Sequence, residues 1–245
     1  MPEAPRILSF LMSHWNSQEE AEGRACGMFG LRATHERIQR YLGHCETFIA
    51  CGTWSNPEWN PMPPLRVVNA GAPFTKPYEV HWWNYSLCAF TAAFAYALDK
   101  PHWNLLALLD NDALIGAVDF NTIIHQFMER PDIMLTANWH DGTRSWPAGP
   151  LIIWKREGVA RWQHGRLRPN LSEAAEQPMF PEEELARLFD GRIFNPWPFA
   201  QSVRQDHNAE LNRQAMTWPF VRCPCNSIIN RYLREQTRKA KPLKP

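Results

Sequence analysis

Up to about residue 140, short apolar runs alternate with stretches of helical spacing, and no other feature restricts the fold as strongly. Residues 6–13 (RILSFLMS) are short and apolar, as a buried strand is. Residues 18–42 hold helix formers and three glycines; their second half, ATHERIQRYLG, reads as a helix ended by Gly43. A second strand is expected at 46–52, a Pro- and Asn-rich loop at 53–64 and a third strand at 65–71. A long helix then covers about 78–98, and WNLLALLDND gives a fourth strand. Helical spacing returns at 120–129 and stops before Pro131, and DIMLTANW gives a fifth strand. Strand–helix alternation of this kind predicts an α/β fold, a mostly parallel sheet with helices on both faces.

Ligands of such sheets collect beyond the carboxyl ends of the strands. The polar groups placed there are Ser13-His14-Trp15-Asn16, Cys51-Gly52-Thr53, Asn69-Ala70-Gly71 and Asp110-Asn111-Asp112. The last group is the most demanding, because five aliphatic residues deliver two carboxylates with one residue between them. On a continuing strand, alternate residues share a side, so Asp110 and Asp112 would project together. Side by side they repel, and one pKa rises. A divalent cation, Mg2+ or Mn2+, resolves this; it takes one or two carboxylates and leaves room for phosphate oxygens. A diphosphate neutralised in this way is a good leaving group, which is the chemistry of a nucleotide-sugar donor.

Together these residues resemble a glycosyltransferase of the GT-A fold. Asp110-Asn111-Asp112 matches that group's Asp-x-Asp motif after a hydrophobic strand. HWWNYSLCAFTAAFAYALDK matches its upstream helix with an internal asparagine, here Asn84, and AGPLIIWKREGVARW and FPEEELARLF follow in the expected order. The likeness covers about residues 6–210. It implies a Rossmann-like sheet with a smaller C-terminal acceptor region, and a metal site of Asp110, Asp112 and a late histidine, His207. Ser13, His14, Trp15 and Asn16 would contact the nucleoside, with Asn84, Asp110 and Asn111 completing the donor side. Glu183, by its place in the motif, is the expected catalytic base, and Asp141 is a second candidate or an acceptor contact. The sequence departs from the pattern in two places: IACGTW has no aspartate after the second strand, and the late helix starts Glu182-Glu183-Glu184 instead of Glu-Asp.

Length and composition suit one catalytic domain over residues 1–230, divided into a nucleotide-sugar half (1–140) and an acceptor-side half (141–230). In the second half, residues 142–150 read as loop, 151–154 as a strand followed by a short helix, 181–190 as a helix with Gly191 past its end, and 195–208 as loop; a last helix covers 228–237. Trp146 and Trp197, placed in loops, are candidate sugar platforms, while Trp82 and Trp83 are expected to pack. Residues 231–245 carry six basic side chains and one acidic, leaving 20 basic and 24 acidic before them. A basic tail of this kind suits phosphate-rich surfaces. The resemblance implies a glycan or lipid-linked glycan as acceptor, with the tail resting on a membrane surface, and a hydroxylated base of DNA is the alternative that the tail would serve. No run of 18 apolar residues occurs, and the six cysteines show no zinc spacing beyond the lone pair Cys223-Pro224-Cys225. A cytoplasmic protein with reduced thiols, peripheral at a membrane surface through its tail, is expected.

Other chemistries fit less well. A haloacid-dehalogenase-like phosphotransferase would carry its aspartate strand near the start of the domain, and here that strand is the fourth. A sugar nucleotidyltransferase would show a glycine-rich loop after the first strand, where this chain reads SHWNSQEEAEG. A non-catalytic sugar-binding relative would have no need of both Asp110 and Asp112.

Overall fold

The computed structural model describes residues 4–15, 17–25, 31–43, 45–52, 55–70, 82–110, 113–115, 119–140, 145–165, 189, 191–196, 201–202 and 220–222. Its centre is a seven-stranded sheet in the order β3-β2-β1-β4-β7-β6-β8. These strands are β1 (Ile7–Met12), β2 (Cys45–Gly52), β3 (Arg66–Ala70), β4 (Leu105–Asp110), β6 (Met134–His140), β7 (Ser145–Lys155) and β8 (Ile193–Phe194). Neighbours pair in parallel except along both edges of β7, so six strands run one way and β7 runs against them. The sheet is therefore mostly parallel.

Side-chain alternation divides the core into two layers. Ile7, Leu11, Leu105, Ala107 and Leu109 face one side with Leu31 and Ile38 of α2 (Leu31–Tyr41) and Phe120, Ile124 and Phe127 of α4 (Phe120–Glu129). Leu8, Phe10, Met12, Leu106 and Leu108 face the other side, against Ala89, Phe90, Ala93, Phe94 and Ala97 of α3 (Trp82–Leu98) and Val159 of α5 (Arg156–Gly165). A strand buried on both faces reads as an unbroken apolar run, which explains the sequence signal of β1 and β4. Buried strand hydroxyls in this interior are paired: those of Ser9 and Thr47 lie 2.7 Å apart between β1 and β2, and Thr136 Oγ1 donates to the Leu151 carbonyl at 2.8 Å. On the face of the sheet opposite Ser9 and Thr47 the rings of Phe10 and Phe48 stack, 5.3 Å apart.

Several elements depart from the expected layout. The segment 18–42 forms two helices, α1 (Gln18–Ala25) and α2, with Gly43 at φ 79° after the second, a conformation glycine takes without strain. The loop 53–64 carries one 3-10 turn, Pro57–Trp59. The long helix is described from Trp82. The strand expected at 151–154 starts at Ser145 and inserts antiparallel between β4 and β6, so residues 145–150 are strand and not loop. Trp146 consequently sits in β7 opposite Trp139, not in a loop. Residues 201–202, also expected as loop, form β9 (Gln201–Ser202). With β5 (Ala113–Ile115) and β10 (Phe220–Arg222) it makes a second sheet in the order β5-β10-β9. The helices expected at 181–190 and 228–237 and the basic tail lie outside the described residues, save for Phe189, which is buried; Gly191, placed past the end of the first, has φ 68°. Among the described residues no helix is long and apolar enough to cross a membrane.

Candidate functional site

Strand order fixes where a ligand can enter. From β1 the chain moves outward through β2 to β3, then crosses by α3 to β4 on the other side of β1. The order reverses between β1 and β4, and a crevice opens at the carboxyl ends of strands on either side of such a reversal. Register completes the geometry: Met12 lies beside Ala50 on one edge and Asp110 on the other. Ser13, His14 and Trp15 therefore leave β1 at the level where Asp110 ends β4.

Each of the three is held differently. The Ser13 amide donates to the Ala50 carbonyl at 3.1 Å, which continues the β1–β2 ladder by one step. Its hydroxyl is buried, and among the described residues it has no hydrogen-bond partner. Such a group costs stability unless something meets it. His14 is partly buried beside α1, whose Glu20 and Arg24 form an ion pair at 3.0 Å. Burial, aided by the Arg24 charge and opposed by Glu20, pulls its pKa down to about 4, so the imidazole is neutral at neutral pH. It can then give one hydrogen bond and accept another. Trp15 is fully buried; its amide donates to Ser55 Oγ at 3.0 Å and its indole N–H to the Asn56 carbonyl at 2.9 Å. It ties the exit of β1 to the loop after β2. Ser55 and Asn56 thus position the rim, a role that the sequence shows only as turn-forming residues.

Asp110 is half-buried at the end of an otherwise fully buried strand. By alternation it follows Leu106 and Leu108 on the side covered by α3. That helix runs back from the end of β3 to the start of β4, so its first turn, with Asn84, lies toward the carboxyl edge of the sheet. β4 stops at Asp110. Asn111 and Asp112 lie outside the described residues, as do Asn16, Asp141, Glu183, Trp197 and His207, so strand alternation relates the two aspartates no further than Asp110.

The small sheet bears on the same place. β5 begins at Ala113, the residue after Asp112, and Ala113 pairs with Arg222 of β10. β10 also pairs with β9. The chain on either side of His207 is thereby anchored next to the segment that follows the aspartates. Among the described residues no group of three or more His, Cys, Asp or Glu could hold a metal ion; of the expected ligands only Asp110 is among them. Cys45, Cys51 and Cys88 are free thiols that burial pushes up to about 12, 12 and 11, which suits packing and not nucleophilic work.

No protein-family model matches the sequence, and no curated protein matches it. Solved structures do. The galactosyltransferase LgtC, crystallised with donor and acceptor sugar analogues, superposes with a TM-score of 0.50 at 9% identity over 97% of each chain. A glycosyltransferase involved in glycosylation of the major capsid of PBCV-1 gives 0.49 at 14% identity, covering 96% of this chain and 100% of that one. The glycosyltransferase GlyE of Streptococcus pneumoniae TIGR4 gives 0.45 at 11% identity, covering 90% of this chain and 54% of that one. At such identities the likeness is one of fold. The fold is of the GT-A, Rossmann-like type, shared with LgtC over nearly the full length of both chains.

Proposed function

We propose that this protein transfers a sugar from a nucleoside-diphosphate sugar to an acceptor hydroxyl. One observation carries the reading: the Met12–Asp110 register sets a half-buried carboxylate beside Ser13 and His14 at the strand-order reversal of a GT-A-type sheet. In this reading the donor's nucleoside rests on the rim formed by Ser13, His14 and Asn16. Trp15 supports that rim from beneath, since its own faces are covered. The Ser13 hydroxyl finds its missing partner on the donor, and neutral His14 hydrogen-bonds to base or ribose instead of pairing with phosphate. Asn84, at the start of α3, reaches the donor from the same edge.

Asp110, Asp112 and His207 are the proposed ligands of a divalent cation, Mn2+ or Mg2+. Two carboxylates and an imidazole suit such an ion. Asp110 and Asp112 would hold the ion through their oxygens and His207 as the neutral imidazole, and the ion would supply charge neutralisation of the diphosphate. Glu183 is the proposed base that takes the acceptor's proton, and Asp141 contacts the acceptor or shares that task. The proposed acceptor is a glycan or lipid-linked glycan; no observation among the described residues favours DNA.

The test is nucleotide release. The protein is incubated with UDP-, GDP- and dTDP-sugars, with and without Mn2+, and the freed diphosphate is measured. Release from one donor class that stops on chelation supports the proposal. Equal release with chelator, or none from any donor with or without a glycan acceptor, contradicts it.

A further inference from the structure

At the opposite pole of the sheet, where β1 and β4 begin, lies an open cavity of about 700 Å³. This is within the size range of small-molecule sites. It is separated from the Ser13–Asp110 crevice by the length of β1, roughly 20 Å at ~3.3 Å per residue. Its polar lining comes from three places: Arg6 and Glu46 at the strand starts, His102 in the turn before β4, and Asn121 with His125 on α4. Asn121 and His125 stand four residues apart and so share one helix face. Ile124 lines the same wall.

The turn that presents His102 is held rigidly. The Trp103 indole donates to the Ala97 carbonyl at 2.7 Å. The Arg156 guanidinium donates to the Lys100 carbonyl at 2.9 Å and lies over the Trp103 ring, 5.0 Å from its centre. The Arg6 amide donates to Asn104 Oδ1 at 2.9 Å, and the Asn104 amide returns a bond to the Arg6 carbonyl at 3.0 Å. Within this frame His102 is the one non-glycine residue with positive φ among the described residues, at 64°. A side chain rarely adopts that conformation unless its surroundings impose it, and residues held so cluster at ligand sites. His102 is exposed and lines the cavity.

Arg6, His102, His125 and Asn121 line a partly apolar cleft in which Glu46 is the sole carboxylate among the described residues. We propose that this cavity is a second ligand site, distinct from the sugar-transfer crevice, for a compact organic anion. Its phosphate or carboxylate head is bound by Arg6, His102, Asn121 and His125, and its apolar body lies against Pro5 and Pro101. The site rests on none of the residues assigned to sugar transfer and stands or falls independently of that reading.

The probe is phenyl phosphate, with benzyl alcohol as the uncharged counterpart. Binding is followed through the imidazole proton resonances of His102 and His125 in the intact chain, assigned with His102→Asn and His125→Gln. Asparagine tolerates the left-handed conformation, so the first variant keeps the turn. Phenyl phosphate is expected to shift both resonances saturably. The double variant, which lacks both reporter rings and is titrated by isothermal calorimetry beside the wild type, is expected to bind it about tenfold or more weakly, the effect of losing hydrogen bonds to a charged group. Added UDP and Mn2+ should leave the shifts unchanged. Non-saturating shifts, equal shifts with benzyl alcohol, unchanged affinity in the double variant, or displacement by UDP would each overturn the assignment.

Discussion

Replacing Ser13 by alanine should make the protein more stable and a poorer binder of its donor. The hydroxyl is buried and unpartnered among the described residues, while the backbone amide is already satisfied by Ala50. A buried polar group without a partner costs about 1–3 kcal/mol, and alanine removes the group while keeping the backbone bond. Allowing for the small void left by one oxygen, the gain should be about 1–2 kcal/mol. For a chain of this size each kcal/mol moves Tm by roughly 2–4 °C, so Tm should rise by about 2–8 °C. If the hydroxyl is kept in place to meet the donor, removing it forfeits a hydrogen bond of about 0.5–1.5 kcal/mol and weakens donor binding roughly three- to tenfold. Differential scanning calorimetry without ligand and isothermal titration with nucleotide sugar read the two effects separately. A lower Tm would refute the burial reasoning. A higher Tm with unaltered donor affinity would refute the role given to the hydroxyl.

His14 should make stability depend on pH. Its folded pKa of about 4 lies below the ordinary 6.5, so between those values the unfolded chain holds the extra proton. Stability contributed by the neutral buried ring is present above pH 6.5 and is lost as pH falls toward 4, on the order of 3 kcal/mol by pH 4. His14→Gln should flatten urea-derived stability across that window; an unchanged slope would contradict it. Gly43 at φ 79° has open space around it, so Gly43→Ala meets backbone strain and no clash. It should lower stability by about 1–2 kcal/mol in equilibrium unfolding, and no change would contradict the strained conformation.

The strands and helices that the sequence showed are those whose burial leaves a long pattern. β1 and β4 are covered on both faces, so they read as unbroken apolar runs, and α4 declared itself by spacing and by Pro131 beyond its end. β5, β8, β9 and β10 have only two or three residues each, too few for any periodicity to register. The antiparallel insertion of β7 was hidden for another reason. Local pattern tells that a segment is a strand, but its neighbours are chosen by tertiary packing. Pro147 and Gly149 within β7 further argued for a loop, and the register shift between Thr136 and Asn138 shows pairing that is irregular on that side. At the candidate site, topology alone placed Ser13, His14 and Asp110 together, because the ends of parallel strands meet wherever strand order reverses. That Trp15 is structural support, and that Ser55 and Asn56 hold it, depended on a long-range contact with no trace in local sequence.

The central claim is that a divalent cation at Asp110 couples nucleotide-sugar binding to this sheet edge. A thermal-shift titration tests it, with the releasing donor from the assay above, in the wild type and in Asp110→Asn. In the wild type, donor and Mn2+ together at about a hundredfold excess over Kd should stabilise by about 2.7 kcal/mol, roughly 5–11 °C, and donor alone by much less. In Asp110→Asn the manganese-dependent part should vanish while the unliganded Tm stays within a few degrees. A full manganese-dependent shift in that variant would contradict the claim.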